Sequence, residues 1–136
     1  MAAGLPLMRV LFCSRRFFPA ISGMSVYALN LLRELAAAGH DVTMVSQYRG
    51  DETGTRIYGG GPPPDVPGVR VIGRRSLGEE TQPADFGRDV DDMVAAILAE
   101  HARRPFDVLH AQYAYPNGWA CLLAAREIGL PTVVSI

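Results

Sequence analysis

The sequence contains no lysine, because all 13 of its basic residues are arginine. A phosphate-binding P-loop needs a lysine that reaches the terminal phosphates, and Schiff-base chemistry needs a lysine amine. The chain also lacks the pattern Gly-x-Gly-x-x-Gly after its first predicted strand, where Gly23 is the only glycine between Cys13 and the next helix. These absences exclude a P-loop and a Schiff base, and they disfavour a nicotinamide or flavin cofactor.

The sequence also lacks an excess of charge of one sign and lacks long apolar runs. The formal net charge of −1 gives no electrostatic basis for a nucleic-acid partner. No segment approaches the roughly 20 apolar residues of a membrane span, and residues 1–7 lack the basic and long apolar parts of a signal peptide. We therefore expect a cytoplasmic protein without a nucleic-acid partner, for which peripheral contact with a membrane stays open.

Cysteine is scarce, and the two cysteines do not form a Cys-x-x-Cys pair. Cys13 and Cys121 both stand among apolar neighbours, which predicts buried, reduced thiols. The histidines and cysteines show no spacing typical of metal ligands, so we predict no metal site.

The 136 residues alternate between strand and helix patterns. Strands are predicted at 9–13, 41–45, 69–72, 106–111 and 132–136, and helices at 24–38, 86–104 and 116–128. Gly39 and Gly129 are placed to end two of the helices, and Asp85 is placed to cap another. This alternation predicts one α/β domain over 1–136, a Rossmann-like parallel sheet with helices on both faces.

Two segments stand apart from this pattern. Residues 49–68 are rich in glycine and proline and predict a long loop, either a lid that faces a bound ligand or a disordered segment. The last predicted strand ends without the loop that would normally follow it, so we expect the chain to be an incomplete piece of a larger fold. Asp89, Asp91 and Asp92 are predicted to form a solvated acidic helix face, and no general acid–base pair can be assigned.

Candidate binding residues follow the first strand. Gly23 immediately precedes the first helical turn, where amides lack partners and the helix dipole favours an anion. It either contacts a phosphate or sugar or serves only to turn the chain. Arg15 and Arg16 are either close to an anionic ligand or solvated surface charges.

A second group of candidates follows the fourth predicted strand. The segment 110–119 combines polar and aromatic side chains, which suit the hydroxyls and apolar faces of a sugar. His110 in this segment is either a structural histidine or a proton carrier.

Several segments resemble the amino-terminal domain of family 4 retaining glycosyltransferases. They are residues 17–31, 38–45, 106–112 and 128–136. The resemblance covers nearly the whole chain outside residues 48–83, and the Gly-His-Asp-Val-Thr element after the first helix makes it fairly specific. In that family two Rossmann-like domains face each other in the GT-B fold, and a sugar passes from a nucleotide-sugar co-substrate to an acceptor with retained configuration.

The resemblance implies a site for this chain. Ser22, Gly23 and Met24 would face the donor phosphates, although relatives commonly carry Gly-Gly where this chain has Ser22-Gly23. The acceptor side would be lined by Arg15, Arg16, His110, Tyr113, Tyr115 and Asn117. The resemblance implies no cofactor beyond the co-substrate. The groups that stabilise the leaving diphosphate belong to a second domain in that family, so we expect this chain alone to be inactive, and its catalytic residues are unknown.

Two other functions stay open at this stage. The chain could be a non-catalytic binding or assembly module that pairs with a separate glycosyltransferase subunit. A nucleotide-binding oxidoreductase is disfavoured by the missing glycine fingerprint.

Overall fold

A computed structural model of the protein describes residues 7–50 and 59–136. In chain order the elements are β1 Arg9–Ser14, α1 Gly23–Ala37, β2 Asp41–Tyr48, β3 Val69–Arg75, α2 Phe86–Arg103, β4 Val108–Gln112, an irregular turn Ala114–Gly118, α3 Trp119–Ile128 and β5 Thr132–Ser135. The predicted alternation of strands and helices is therefore confirmed. No helix in this described part of the chain is long and apolar enough to cross a membrane.

The described strands form one parallel sheet in the order β3-β2-β1-β4-β5. The strand order therefore reverses between β1 and β4, which are neighbours in the sheet. In open α/β sheets the loops after two such strands diverge and leave a crevice at the carboxyl ends. The topology confirms the predicted Rossmann-like fold and directs attention to the loops after β1 and β4.

Each face of the sheet carries its own core, because the residues of β1 alternate between the faces. Phe12 packs with Ala28 and Leu32 of α1 on one face. Leu11 and Cys13 belong to the core under α2 and α3 on the other face. Burying a side chain as large as Phe12 contributes roughly 1.5–3 kcal/mol, so this packing fixes each helix against the sheet.

The cysteines are buried free thiols, as predicted. A hydrogen bond with Cys121 and burial both raise the pKa of Cys13 well above its ordinary value. A thiol with a raised pKa is a poor nucleophile, which disfavours a catalytic role for Cys13. Both cysteines are packed in the same hydrophobic core.

Helix ends follow the predicted signals in part. Gly39 and Gly129 both adopt positive φ, at 96° and 72°. Gly39 follows Ala38, the C-cap residue of α1, and Gly129 is itself the C-cap residue of α3. Asp85 does precede α2, but its side chain makes no capping hydrogen bond. Its carbonyl oxygen instead accepts from the Arg88 amide at 3.2 Å.

Strand boundaries differ from the prediction where hydrogen bonding outlasts the apolar pattern. β2 and β3 continue to Tyr48 and Arg75, since the two strands pair along their full length.

Residues 51–58 of the predicted loop lie outside the described residues. Val66, near the end of that loop, is buried against the α1 core and bridges to Val69, so this part of the segment is ordered by packing.

Candidate functional site

The loops after β1 and β4 enclose adjoining pockets at the carboxyl ends of the strands. The first, of about 300 Å³ and called here the Gly23 pocket, is lined by Gly23, Met24, Tyr27, Gln112, Tyr113, Ser135 and Ile136. The second, of about 270 Å³ and called the Asn117 pocket, is lined by Arg15, Arg16, Met24, Phe86, Gln112, Tyr113, Tyr115, Pro116 and Asn117. A further depression is lined by Arg16, Ser22, Gly23, Met24 and Tyr113. Shared lining residues make these pockets parts of one crevice.

The amino terminus of α1 borders the Gly23 pocket. Ser22 is the N-cap residue, and its Oγ accepts a hydrogen bond from the Ser25 amide at 3.3 Å. Ser25 is buried, and its hydroxyl donates to the carbonyl of Ala20. The amides of Gly23 and Met24 have no hydrogen-bond acceptor among the described residues. These two amides can therefore donate to an anion, which the helix dipole favours at this end.

Gly23 is surrounded by open space on its side-chain side. A Cβ built at this position meets no atom within 4 Å, and the backbone is not left-handed. Neither packing nor the turn therefore requires a glycine here. The missing side chain leaves room for a ligand to approach the backbone closely.

Gln112, the last residue of β4, connects the parts of the crevice. Its Oε1 accepts a hydrogen bond from Ser14 Oγ at 3.2 Å, and its Nε2 donates to the Met24 carbonyl at 2.9 Å. Its backbone carbonyl accepts from Asn117 Nδ2 at 3.4 Å. This buried amide therefore ties the end of β1, the first turn of α1 and the 114–118 turn together.

Arg15 is held in the Asn117 pocket by carboxylates and an aromatic ring. Its Nη1 lies 3.0 Å from Asp89 Oδ2, and its Nη2 lies 3.1 Å from Glu79 Oε2. The guanidinium carbon lies 4.8 Å from the centre of the Phe86 ring. Arg15 is therefore neither a solvated surface charge nor an isolated anion-binding group.

The prediction of a solvated acidic face was wrong for Asp89, which is only 1% exposed. Besides pairing with Arg15, it accepts hydrogen bonds from Ser76 Oγ at 2.7 Å and from the Gly78 amide at 3.1 Å. Asp89 lies four residues before the buried Met93, so it falls on the buried stripe of α2, where a charge needs partners. The four-residue spacing between Asp89 and Met93 was the signal in the sequence that could have predicted this burial.

The other two aspartates of α2 are closer to the prediction. Asp91 is exposed. Asp92 is partly exposed and bound by Arg74, whose hydrogen bond lowers the pKa of this carboxyl.

Asn117 is the most deeply buried polar side chain of the 114–118 turn, at 1% exposure. Its Nδ2 donates to the Gln112 carbonyl, but its Oδ1 has no hydrogen-bond donor among residues 7–50 and 59–136. Tyr115, two residues earlier, is 58% exposed. The turn therefore places one aromatic ring at the rim of the pocket and one buried carbonyl in its wall.

His110 lies within β4 and is absent from the lining of the pockets just described. Its Nε2 is 2.6 Å from Ser135 Oγ, and its ring lies 5.0 Å from the ring of Phe12. Burial lowers the pKa of His110. These contacts favour a neutral imidazole that joins neighbouring strands.

The structure thus brings together all of the predicted binding residues except His110. Sequence reasoning did not single out Gln112 within the 110–119 segment, and it missed Tyr27, Phe86, Ser135 and Ile136 as lining residues. Gln112 had a signal, since a polar residue that ends a buried strand must find partners. Phe86 had none, because its place beside Arg15 depends on how α2 packs on the sheet.

A family model described as "Glycosyl transferase 4-like domain" matches residues 22–136, which include the amino terminus of α1 and every later element. The chain belongs to this family. The glycosyltransferase-like domain has the same fold as the C-terminal domain of a hydrogenase from Pyrococcus furiosus, seen in two crystal structures. One has 11% identity, a TM-score of 0.62 and coverage of 99% of this chain and 98% of that one. The other has 12% identity, a TM-score of 0.64 and coverage of 100% and 96%.

At such low identity the likeness to the hydrogenase domain concerns the fold alone. No curated protein matches the sequence. The family match and the geometry of the crevice therefore carry the functional argument.

Proposed function

We propose that this domain is the acceptor-side half of a retaining glycosyltransferase with the GT-B arrangement, which transfers a sugar from a nucleotide-sugar donor to an acceptor. Membership of the glycosyl transferase 4-like family supports a glycosyltransferase-type domain. The crevice at the reversal of strand order supports ligand binding at this edge of the sheet.

The observation that carries the proposal is the open amino terminus of α1. The Gly23 and Met24 amides lack acceptors among the described residues, and Gly23 has open space where a side chain would stand. A helix amino terminus with partnerless amides binds phosphate through hydrogen bonds and through its dipole. In our proposal these amides contact the diphosphate of the donor.

The proposal divides the reaction between two domains. Arg15, Arg16, Tyr113, Tyr115 and Asn117 line the acceptor side, while a second Rossmann-like domain holds the nucleotide. This chain has no lysine, so a mixed arginine–lysine pair on the leaving diphosphate would come from that second domain. The domain alone is then inactive, because departing negative charge needs fixed donors around it.

Replacing Gly23 by leucine tests the role of the α1 amino terminus. We expect G23L to fold normally, since nothing lies within 4 Å of the added Cβ. Its side chain would cover the two amides, so binding of inorganic diphosphate or UDP should fall at least roughly tenfold, the equivalent of about 1.4 kcal/mol. Titrations followed by NMR of the Gly23 and Met24 amides measure this effect in the wild-type chain.

The matched control is N30L, which adds leucine to an exposed position of the same helix. We expect N30L to bind diphosphate like the wild type. In the two-domain enzyme, G23L should lower turnover sharply with little change in stability. Unchanged diphosphate binding by G23L, or amide shifts confined to other parts of the chain, would contradict the assignment.

A further inference from the structure

Ser135 and His110 form a hydroxyl–imidazole pair that the proposed function does not use. Ser135 is the last residue of β5, and its Oγ lies 2.6 Å from His110 Nε2. Burial lowers the pKa of His110, so the imidazole is mainly neutral near neutral pH. With its proton on Nδ1, a neutral imidazole accepts the serine hydroxyl hydrogen through Nε2. A serine hydroxyl paired in this way with a histidine is the nucleophile–base combination of acyl transfer.

The Ser135 hydroxyl lies on the side of the sheet that carries α1. Ser135 and Gln112 are register partners, and the Gln112 side chain donates to the Met24 carbonyl of α1. His110, two residues before Gln112, faces the same side, since its ring contacts the core under α1. The Ser135 Oγ that bonds this ring therefore also faces α1. Ser135 is only partly buried and lines the Gly23 pocket, so a ligand in this pocket can reach its hydroxyl.

The Gly23 pocket also contains donors for a developing negative charge. The amides of Gly23 and Met24 have no acceptor among the described residues, and both residues line the pocket together with Ser135. Partnerless backbone amides stabilise the oxyanion that forms when a hydroxyl attacks a carbonyl. Tyr27 and Tyr113 supply aromatic walls, and the volume of about 300 Å³ suits a small ligand. These features fit a small, uncharged ester.

We propose that Ser135 and His110 give this domain a second activity, the hydrolysis of small uncharged esters bound in the Gly23 pocket. Ser135 Oγ attacks the ester carbonyl carbon while its proton passes to His110 Nε2. The bond from that carbon to the alcohol oxygen then breaks, and the alcohol leaves with the proton from Nε2. Water next attacks the acylated Ser135 and gives a proton to Nε2, and the acid is released as this proton returns to Oγ. Ester and water thus become acid and alcohol without a further reactant.

Reaction of the purified chain with p-nitrophenyl acetate tests the proposal. We expect a burst of p-nitrophenolate and an acetyl group on Ser135, located by mass spectrometry of the peptides. The sequence has no lysine amine that would be acetylated in competition. This measurement uses the wild-type chain and needs no variant.

Two histidine variants separate the proposed base from background hydrolysis. H110Q keeps a polar side chain but removes the base, so the rate of hydrolysis should fall at least roughly hundredfold. H101Q is the matched control, because His101 is also partly buried and is absent from the linings of the pockets described above. Its Nδ1 accepts from the Phe106 amide at 3.1 Å. We expect H101Q to hydrolyse the ester like the wild type and S135A to lose the acetyl adduct.

Three results would each overturn the inference. They are a wild-type chain without an acetyl group on Ser135, hydrolysis by S135A at the wild-type rate, and equal rates for H110Q and H101Q. Urea unfolding shows whether S135A and H110Q retain the fold, and if either does not, the adduct in the wild type decides. Diphosphate titration of the Gly23 and Met24 amides tests the proposed function separately, so failure of one proposal leaves the other intact.

Discussion

At the scale of single residues, Tyr113 shows how the crevice is held in shape. Its backbone lies at φ 72° and ψ 153°, a region that is normally restricted to glycine. The Tyr113 amide donates to the Ser135 carbonyl at 2.7 Å, and its carbonyl accepts from the Gly118 amide at 2.9 Å. These bonds hold a strained conformation that places the ring in the walls of both pockets.

The strain at Tyr113 predicts an inverted order of stability. Glycine in an element interior is usually less stabilising than alanine by roughly 0.5–1 kcal/mol. At this position we expect Y113G to be more stable than Y113A by about 1–2 kcal/mol, because only glycine adopts the backbone angles without strain. Urea unfolding of the two variants measures the difference.

Tyr115 supplies the control for this comparison, since its φ of −138° and ψ of 134° are ordinary extended angles. There Y115A should be at least as stable as Y115G. Equal or greater stability of Y113A than of Y113G would show that Tyr113 stores no strain.

At the scale of elements, β4 and β5 are joined by side chains as well as by backbone hydrogen bonds. His110 and Val133 are register partners, and the His110 ring reaches Ser135 Oγ at 2.6 Å. Burial lowers the pKa of His110 below its ordinary value of 6.5. The pairing of these two strands is therefore sensitive to protonation.

This lowered pKa predicts the direction of a pH effect. The unfolded chain binds the His110 proton more tightly than the folded chain, so protonation favours unfolding. The contribution of neutral His110 is complete above pH 6.5 and is lost as the pH falls below that value. Urea unfolding at about pH 7.5 and pH 5.5 should show a smaller loss of stability for H110Q than for the wild type. Identical losses would contradict the prediction.

At the scale of the whole molecule, one polar network joins segments that are distant in sequence. Arg15 follows β1, Ser76 follows β3, and Asp89 lies in the first turns of α2. Asp89 contacts both of the others from a buried position. The network therefore fixes the β3–α2 connection against the crevice.

Removing the charge of Asp89 tests this network. Breaking one partner of a buried ion pair costs about 3–5 kcal/mol, so D89N should lower the free energy of unfolding by about 3 kcal/mol. D91N, on the exposed side of the same helix, should change stability by less than about 0.5 kcal/mol. Similar losses of stability in the two variants, measured by urea unfolding, would contradict the assignment of Asp89 as a buried ion-pair partner.

Features of this domain that depend on local interactions could be predicted from the sequence. Features that depend on contacts between distant segments could not. Helix ends at Gly39 and Gly129 were predictable because a glycine after the last turn acts locally. The ends of β2 and β3 were not, because each strand lasts as long as its neighbour offers hydrogen bonds. The missing side-chain cap at Asp85 is a similar case, since the chain entering α2 is positioned by Gly78 and Asp89.

The sequence by itself determined the alternation of strands and helices, the absence of lysine chemistry and the group of residues after β1 and β4, because periodicity, composition and chain order are local properties. Tertiary structure decided which charges are buried, which backbone is strained and which polar atoms lack partners. Arg15 and Asp89 become a pair, and Asn117 Oδ1 becomes a buried acceptor without a donor among the described residues, only when the strand order brings separate loops to one crevice.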